Sequence, residues 1–243
     1  MSEFRVCAVI PTYDNPLTIE LTVQRVRAHV SDIIVVDDGS GPEAKQSIAR
    51  LASSSPVVVI TRKTNSGKGS AVKDGLREAY ARGYTHALQI DADGQHDTND
   101  IPRLIAEAQA HPLALVLAAP VFSSDAPKGR LLARKLTVFW TNIETGGAKI
   151  VDPMCGFRVY PLQATQALTV RGNRMDFDPE IAVRLVWNGV EVRSVPSKVR
   201  YVQASEGGIS HFRMVKDNAL ISLMHSRLCI EAMGRAMVRP WKK

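Results

Sequence analysis

From residue 5 the chain alternates short apolar runs with longer segments whose apolar residues recur every three to four positions. "RVCAVIPTY" (5–13), "DIIVVDD" (32–38), "VVVIT" (57–61), "HALQIDAD" (86–93) and "LALVLAA" (113–119) have strand length and are rich in β-branched residues. Between them, residues 17–30, about 42–53, the segment from "NSGKGSA" to about Arg82, and about 98–110 have helical periodicity. Continuous apolar strands alternating with helices predict βαβ units in a doubly wound, mostly parallel sheet flanked by helices, an α/β fold.

The second half is less regular. A helix is expected over about 130–144, a strand at "CGFRVY" (155–160) and a helix over 179–189, with Pro179 in its first turn. "VEVRSVPSKVRY" (190–201) alternates as a strand does, and "QASEGGISHFR" (203–213) reads as a loop. Residues 214–239 form a basic amphipathic helix with Ala219, Leu223, Ile230, Met233 and Met237 in one stripe and Lys216, Arg227, Glu231 and Arg235 opposite. That stripe has two readings: it packs on the domain, or it lies on an anionic membrane. Trp241, Lys242 and Lys243 suit the second.

Composition narrows the class. With 45% hydrophobic and 23% charged residues in 243, the chain can bury one large core. No apolar run reaches the roughly 18–20 residues of a membrane-spanning helix, and the N-terminus carries no secretion pattern. Three scattered cysteines without a CxxC pair suggest a reduced, cytoplasmic protein. Charge is uneven. Residues 1–120 hold 12 Lys and Arg against 14 Asp and Glu, and residues 121–243 hold 19 against 10. The second half therefore faces anions: nucleic acid, a phospholipid surface or a phosphorylated substrate each fits the charge, as does a solvated basic surface.

Four polar clusters end strands: "PTYDN", "DDGS", "NSGKG" and "DADGQHD". Open α/β sheets bind ligands beyond the carboxyl ends of their strands, so the four should converge on one rim. Asp91 and Asp93, at i and i+2 of a strand end, project to one side and repel unless a cation or proton intervenes. Hard oxygen ligands, with Gln95 on the same parity, suit Mg²⁺ or Mn²⁺; the alternative is a solvated acidic turn. "NSGKGSA" opens a helix whose N-terminus favours an anion. It is not a P-loop, because Arg62 stands where that pattern has its first Gly and Gly69 where it has Ser or Thr. "VVDDGS" could belong to a phosphorylation receiver, but that would leave the other clusters unexplained.

In order and spacing, "VIPTYDN", "IIVVDDGS", "NSGKGSA", "IDADGQHD" and "CGFRVY" resemble a family 2 glycosyltransferase of the GT-A fold. With "GFR" and "FDPE", the chain is most similar to the branch that includes dolichyl- and polyprenyl-phosphate mannosyl- and glucosyltransferases. The likeness spans about residues 5–200. It implies a catalytic domain over 1–213, with a nucleotide-sugar half at 1–120 and an acceptor half at 121–213, followed by the C-terminal helix and tail at 214–243.

The resemblance also implies an inverting transfer from a UDP- or GDP-linked sugar to a membrane lipid, above all a polyprenyl phosphate, or alternatively to a hydroxyl of another lipid or glycan. Pro11, Thr12 and Tyr13 would line the base and Asp38 would bond it. Asn65, Gly67 and Lys68 would lie near the nucleoside or its phosphates, and Asp91, Asp93 and Gln95 around the metal and diphosphate. Asp152 and Asp178 would lie near the acceptor, one of them as a general base for a hydroxyl acceptor. Arg130 and Arg134 would face a phosphate, and His211 or Arg213 of "SHFR" would reach the diphosphate from a lid, unless that segment is an ordinary surface loop.

Implied partners are a nucleotide sugar, the inner face of a membrane held peripherally, and a membrane protein; nucleic acid is not among them. "APVF" (119–122) departs from the "GSR"-like stretch common in relatives, and the C-terminal membrane helices of many relatives are missing. A sugar nucleotidyltransferase would carry a glycine-rich loop after the first strand, where this chain has "PTYDN". A non-catalytic binding protein on the same scaffold would have no need of the acid clusters.

Overall fold

The computed structural model describes residues 3–54, 56–122, 128–148, 150–199 and 212–238. Its centre is a seven-stranded sheet in the order β3-β2-β1-β4-β6-β5-β7. β1 (Val6–Thr12) pairs in parallel with β2 (Ile33–Asp37) and β4 (His86–Gln89), and β2 with β3 (Val57–Thr61). β6 (Arg158–Pro161) runs antiparallel to both β4 and β5 (Leu115–Phe122), and β5 pairs in parallel with β7 (Val192–Val199). The sheet is mostly parallel, as the alternation of strands and helices predicts.

Alternation along each strand feeds two cores. From β1, Ala8 and Ile10 point into one layer with Ile19, Val23 and Val26 of α1 (Ile19–Arg27), and with Ile101 and Leu104 of α4 (Ile101–Ala110). α2 (Pro42–Ser54) contributes Ile48 and Leu51 to the same layer. Cys7 and Val9 point the other way, onto Val72, Leu76 and Ala79 of α3 (Lys68–Ala81) and Phe177 and Ile181 of α7 (Phe177–Trp187). α5 (Lys128–Glu144) and α8 (Met214–Val238) pack beside each other outside this frame. The short helix α6 (Leu162–Gln166), capped by no side chain, was not legible in the residue pattern.

The chain leaves β1 toward β2 and β3, then crosses back to lay β4 on the other side of β1. That reversal opens a crevice at the carboxyl ends of β1 and β4, the place where doubly wound sheets hold ligands. β4 ends at Gln89, short of the expected 86–93, so Asp91 and Asp93 sit on the turn that follows rather than on extended strand.

Of the two readings of the α8 stripe, packing on the domain is not what the helix shows. Leu223, Ile230, Met233 and Met237 face outward, and a different strip, Ile221, Met224 and Leu228, packs on Val183 of α7. From the charged flank opposite the stripe, three residues meet α7: Arg227 pairs with Glu180, Glu231 with Arg184, and Arg235 lies over the Trp187 ring. Glu180 is fully buried, and a buried carboxylate draws cations to it.

Candidate functional site

The crevice contains a cavity of about 570 Å³. Pro11, Thr12 and Tyr13 from the end of β1 line one wall, with Asp38, Asn65, Gly67 and Lys68 beside them. Asp91, Asp93 and Gln95 lie at its acidic end. Arg134 of α5 lines the cavity too, together with Thr137, Met154, Met175 and Ile221. Each of the four strand-end clusters therefore contributes to the lining, while Asp37 and Ser40 serve the loop itself: Asp37 Oδ1 accepts from the Ser40 amide at 2.9 Å.

Asp38 plays a part the sequence did not show. Its carboxylate accepts from the backbone amides of Ser66 (3.1 Å) and Gly67 (2.7 Å) and lies 3.0 Å from Arg62 Nε. The anion at the start of α3 is thus an internal side chain, placed where unpaired amides concentrate positive charge. Burial pushes the Asp38 carboxyl up, against the pull of those amides and Arg62. Gly67, at φ 105°, makes the bend possible, and a Cβ there would sit 2.4 Å from the Asn173 carbonyl oxygen.

Behind the acidic end lies a chain of alternating charges. Lys68 Nζ bonds Asp91 Oδ2 at 2.7 Å and Asp178 Oδ2 at 2.9 Å. Asp178 Oδ1 also accepts from Gln89 Nε2 at 3.3 Å, and Gln89 Oε1 accepts from the Tyr160 hydroxyl at 2.8 Å. Arg158, fully buried, donates to the carbonyls of Cys155, Pro153 and Asp178 and so shapes the "MCGF" turn. Gly156 of that turn passes directly over Asp91 and Lys68. Burial opposes the charge on Lys68, but its two carboxylate neighbours outweigh this and raise its pKa. Burial likewise opposes Asp91, yet Lys68 and His96 hold its carboxyl below the usual value. Asp93 is raised, by burial first and by Asp91 next.

The donor set fits a hard divalent cation. Asp91 Oδ1 is buried without a hydrogen-bond partner, and Asp93 and Gln95 line the same cavity. Among the described residues no group of three or more His, Cys, Asp or Glu side chains forms a closed cage. A pair of carboxylates that leaves positions for substrate phosphates is the usual Mg²⁺ arrangement. His96, given no role by its spacing, bridges to Val199 and packs its ring 5.2 Å from that of Phe157, beside these acids. Asp97 caps the following turn by accepting from the Asn99 amide at 3.0 Å.

The other expected residues that are described border the cavity without lining it. Asp152 and Asp178 are buried and do not line the cavity; Asp152 pairs with Arg134 and accepts from the Met154 amide. Arg213 is exposed; its backbone amide bonds Asp217 at 2.6 Å, and its charge acts on Tyr13 of the cavity wall. The Arg130 side chain and His211 fall outside the described residues, as does the 203–211 part of the loop. The sequence reading missed Arg174, which lines the cavity and reaches Asn65 Oδ1 at 3.3 Å. Its only signal was an arginine three residues before the "FDPE" helix, too common a pattern to single out.

Residues 7–167 match the family described as Glycosyl transferase family 2. An undecaprenyl-phosphate mannosyltransferase of Micrococcus luteus is 29% identical over 206 residues, covering 79% of this chain and 82% of that one. A UDP-N-acetylglucosamine–dolichyl-phosphate N-acetylglucosaminyltransferase of Methanococcus voltae is 26% identical, over 84% of this chain and 89% of its own. Among solved structures, glucosyl-3-phosphoglycerate synthase of Mycobacterium tuberculosis, in complex with Mn²⁺, uridine diphosphate and phosphoglyceric acid, superposes with a TM-score of 0.69. It covers 93% of this chain and 78% of its own at 14% identity, a likeness of fold. With the match to the family extending over most of the sheet and the strand-end clusters gathered at one crevice, the chain belongs to glycosyl transferase family 2 and is a glycosyltransferase.

Proposed function

We propose that the enzyme moves a sugar, with inversion, from a nucleotide-diphosphate sugar to a polyprenyl phosphate at a membrane. The observation that carries the acceptor is the state of the two candidate bases. A hydroxyl acceptor needs a carboxylate free to take its proton. Asp178 is held by Lys68 and Gln89, and Asp152 by Arg134 and a backbone amide. A phosphate acceptor is already ionised and needs cations instead, and Arg134 lines the cavity. The polyprenyl- and dolichyl-phosphate acceptors in the names of the two relatives support the same reading.

Pro11, Thr12 and Tyr13 would enclose the base, and Asp91, Asp93 and Gln95 would hold Mg²⁺ or Mn²⁺ against the diphosphate. The cation supplies Lewis-acid stabilisation of the leaving diphosphate. Lys68, gripped by Asp178, keeps Asp91 ionised and aimed at that position. Arg134 would align the acceptor phosphate for attack on the face opposite the diphosphate, a contribution of positioning. Asp38 holds the "NSGKG" loop that shapes the nucleoside wall. The donor-binding half corresponds to residues 1–120 and the acceptor half to 121–213.

The test is a transfer assay with a panel of UDP- and GDP-linked sugars, Mn²⁺, and polyprenyl phosphate or polyprenol as acceptor. The account expects labelled product from the phosphate and none from the alcohol. Transfer to the alcohol alone, abolished in Asp178→Asn with donor binding intact, would establish the hydroxyl reading in its place.

A further inference from the structure

α5 and α8 leave their outward faces apolar. On α5, Leu136 (57% exposed), Phe139 (56%), Trp140 (37%) and Ile143 (51%) recur at helical spacing. On α8, Leu223 (65%), Ile230 (67%), Met233 (59%) and Met237 (81%) do the same. The helices touch through buried Glu144, which bonds His225 Nδ1 at 2.7 Å and lies 3.8 Å from Cys229 Sγ. At 100° per residue, His225 and Cys229 fall between the core strip of α8 and its exposed strip. Glu144 falls between the core side of α5 and Trp140 in the same way. The two apolar strips therefore start at the shared seam and spread away from the domain as one surface. Monomeric proteins rarely expose so large a contiguous apolar patch without using it.

The charges around the patch are of one sign. Glu144 and Asp217 are buried and Glu231 is paired with Arg184, whereas Lys135 and Lys216 are exposed; Arg235 is also exposed but lies over the Trp187 ring, on the α7 side. Lys135 flanks Phe139 and Lys216 flanks Leu223 on the helical wheel, where long cationic side chains can reach past an apolar surface to anions. The same two helices also wall the cavity. Ala133, exposed and one turn before Leu136, lines it from α5, and Met214 and Asn218 line it from α8.

We propose that the outer face of the α5–α8 pair lies on an anionic lipid bilayer, with the cavity opening between the two helices at the bilayer surface. An amphipathic surface with apolar residues in the middle and lysines at its margin binds such an interface by apolar burial and charge together. A second copy of the chain fits less well, since pairing this face with itself would bring lysines against lysines. The proposal rests on the lipid-acceptor reading for its purpose and not for its test.

The test uses vesicles that contain no acceptor. The full chain should float with phosphatidylglycerol-containing vesicles and much less with phosphatidylcholine alone. Phe139→Glu/Leu223→Glu/Ile230→Glu alters only exposed side chains outside the cavity lining, so its thermal unfolding should match wild type while vesicle binding falls at least about tenfold. Leu113→Glu, 81% exposed on another surface, should bind as wild type. The triple variant should keep its transfer to a short-chain, water-soluble polyprenyl phosphate and lose transfer to acceptor in vesicles. Unchanged flotation of the triple variant, or no flotation of wild type, overturns the proposal. A concentration-dependent dimer that the triple variant abolishes, without vesicle binding, assigns the face to a second copy. Vesicle binding without transfer to any lipid phosphate would defeat the acceptor reading and leave the face standing.

Discussion

A methyl group at Gly156 would lie 2.4 Å from Asp91 Oδ2 and 2.5 Å from Lys68 Nζ. Both are side-chain ends, so the fold can absorb the change by moving them, and the acidic end of the cavity then loses its arrangement. Gly156→Ala is expected to weaken Mn²⁺-dependent nucleotide binding at least about tenfold, about 1.4 kcal/mol, with a much smaller change in unfolding temperature. Calorimetric titration beside thermal denaturation separates the two. The sequence shows "CGFRVY" as a strand with a buried-looking start, and nothing in it says that the glycine crosses over Asp91. Asp38 was legible as a site residue because acids at strand ends are unusual. Its partners were not, since they are backbone amides 28 and 29 residues away. Side-chain chemistry can be read from composition and position, but contacts made by the backbone of a distant loop cannot.

At the scale of elements, α7 and α8 are joined through Glu180. Its carboxylate accepts from the amides of Arg171 and Gly172, bonds Arg184 at 2.7 Å and pairs with Arg227 at 2.7 Å. Burial opposes its ionisation, but Arg184 and the two amides prevail and lower its pKa. A carboxylate with a depressed folded pKa stabilises the fold fully above its unfolded pKa, and the contribution is lost as pH falls through the folded value. Glu180→Gln leaves Arg184 and Arg227 without their buried anion and should cost about 3 kcal/mol at pH 7. The gap in unfolding temperature between variant and wild type should narrow below about pH 4.3, where the unfolded carboxylate takes up its proton. A constant gap across that range would show that Glu180 does not act through its charge.

The same pairing explains why the stripe of α8 does not pack on the domain, the first of its two readings. Its periodicity was visible, but which strip meets the protein depends on what α7 offers, and α7 offers Glu180, Arg184 and Trp187 rather than a wide apolar surface. β-branched runs and helical spacing located every strand of the sheet because those signals are local. The antiparallel insertion of β6 between β4 and β5 is a matter of tertiary pairing that no local pattern carries.

At the scale of the molecule, the order of the strands makes the site. The reversal between β2 and β4 around β1 brings loops far apart in the chain to one rim, and three acids, a glycine and a lysine from those loops meet there. That convergence was legible, since a doubly wound sheet has few alternative places for such clusters. The apolar and cationic side of the cavity was less so, being built from α5, α8 and Arg174 only after the chain folds back. The central claim is that Asp91 and Asp93 make this rim a metal-dependent site for a nucleoside diphosphate. Titration calorimetry of UDP and GDP, with Mn²⁺ and with chelator, on wild type and Asp93→Ala tests it most directly. One nucleotide should bind with Mn²⁺, and chelator should weaken that binding by about a hundredfold or more, roughly 2.7 kcal/mol, with the same loss in Asp93→Ala. Equal affinity with and without metal, or equal affinity in the variant, would contradict it.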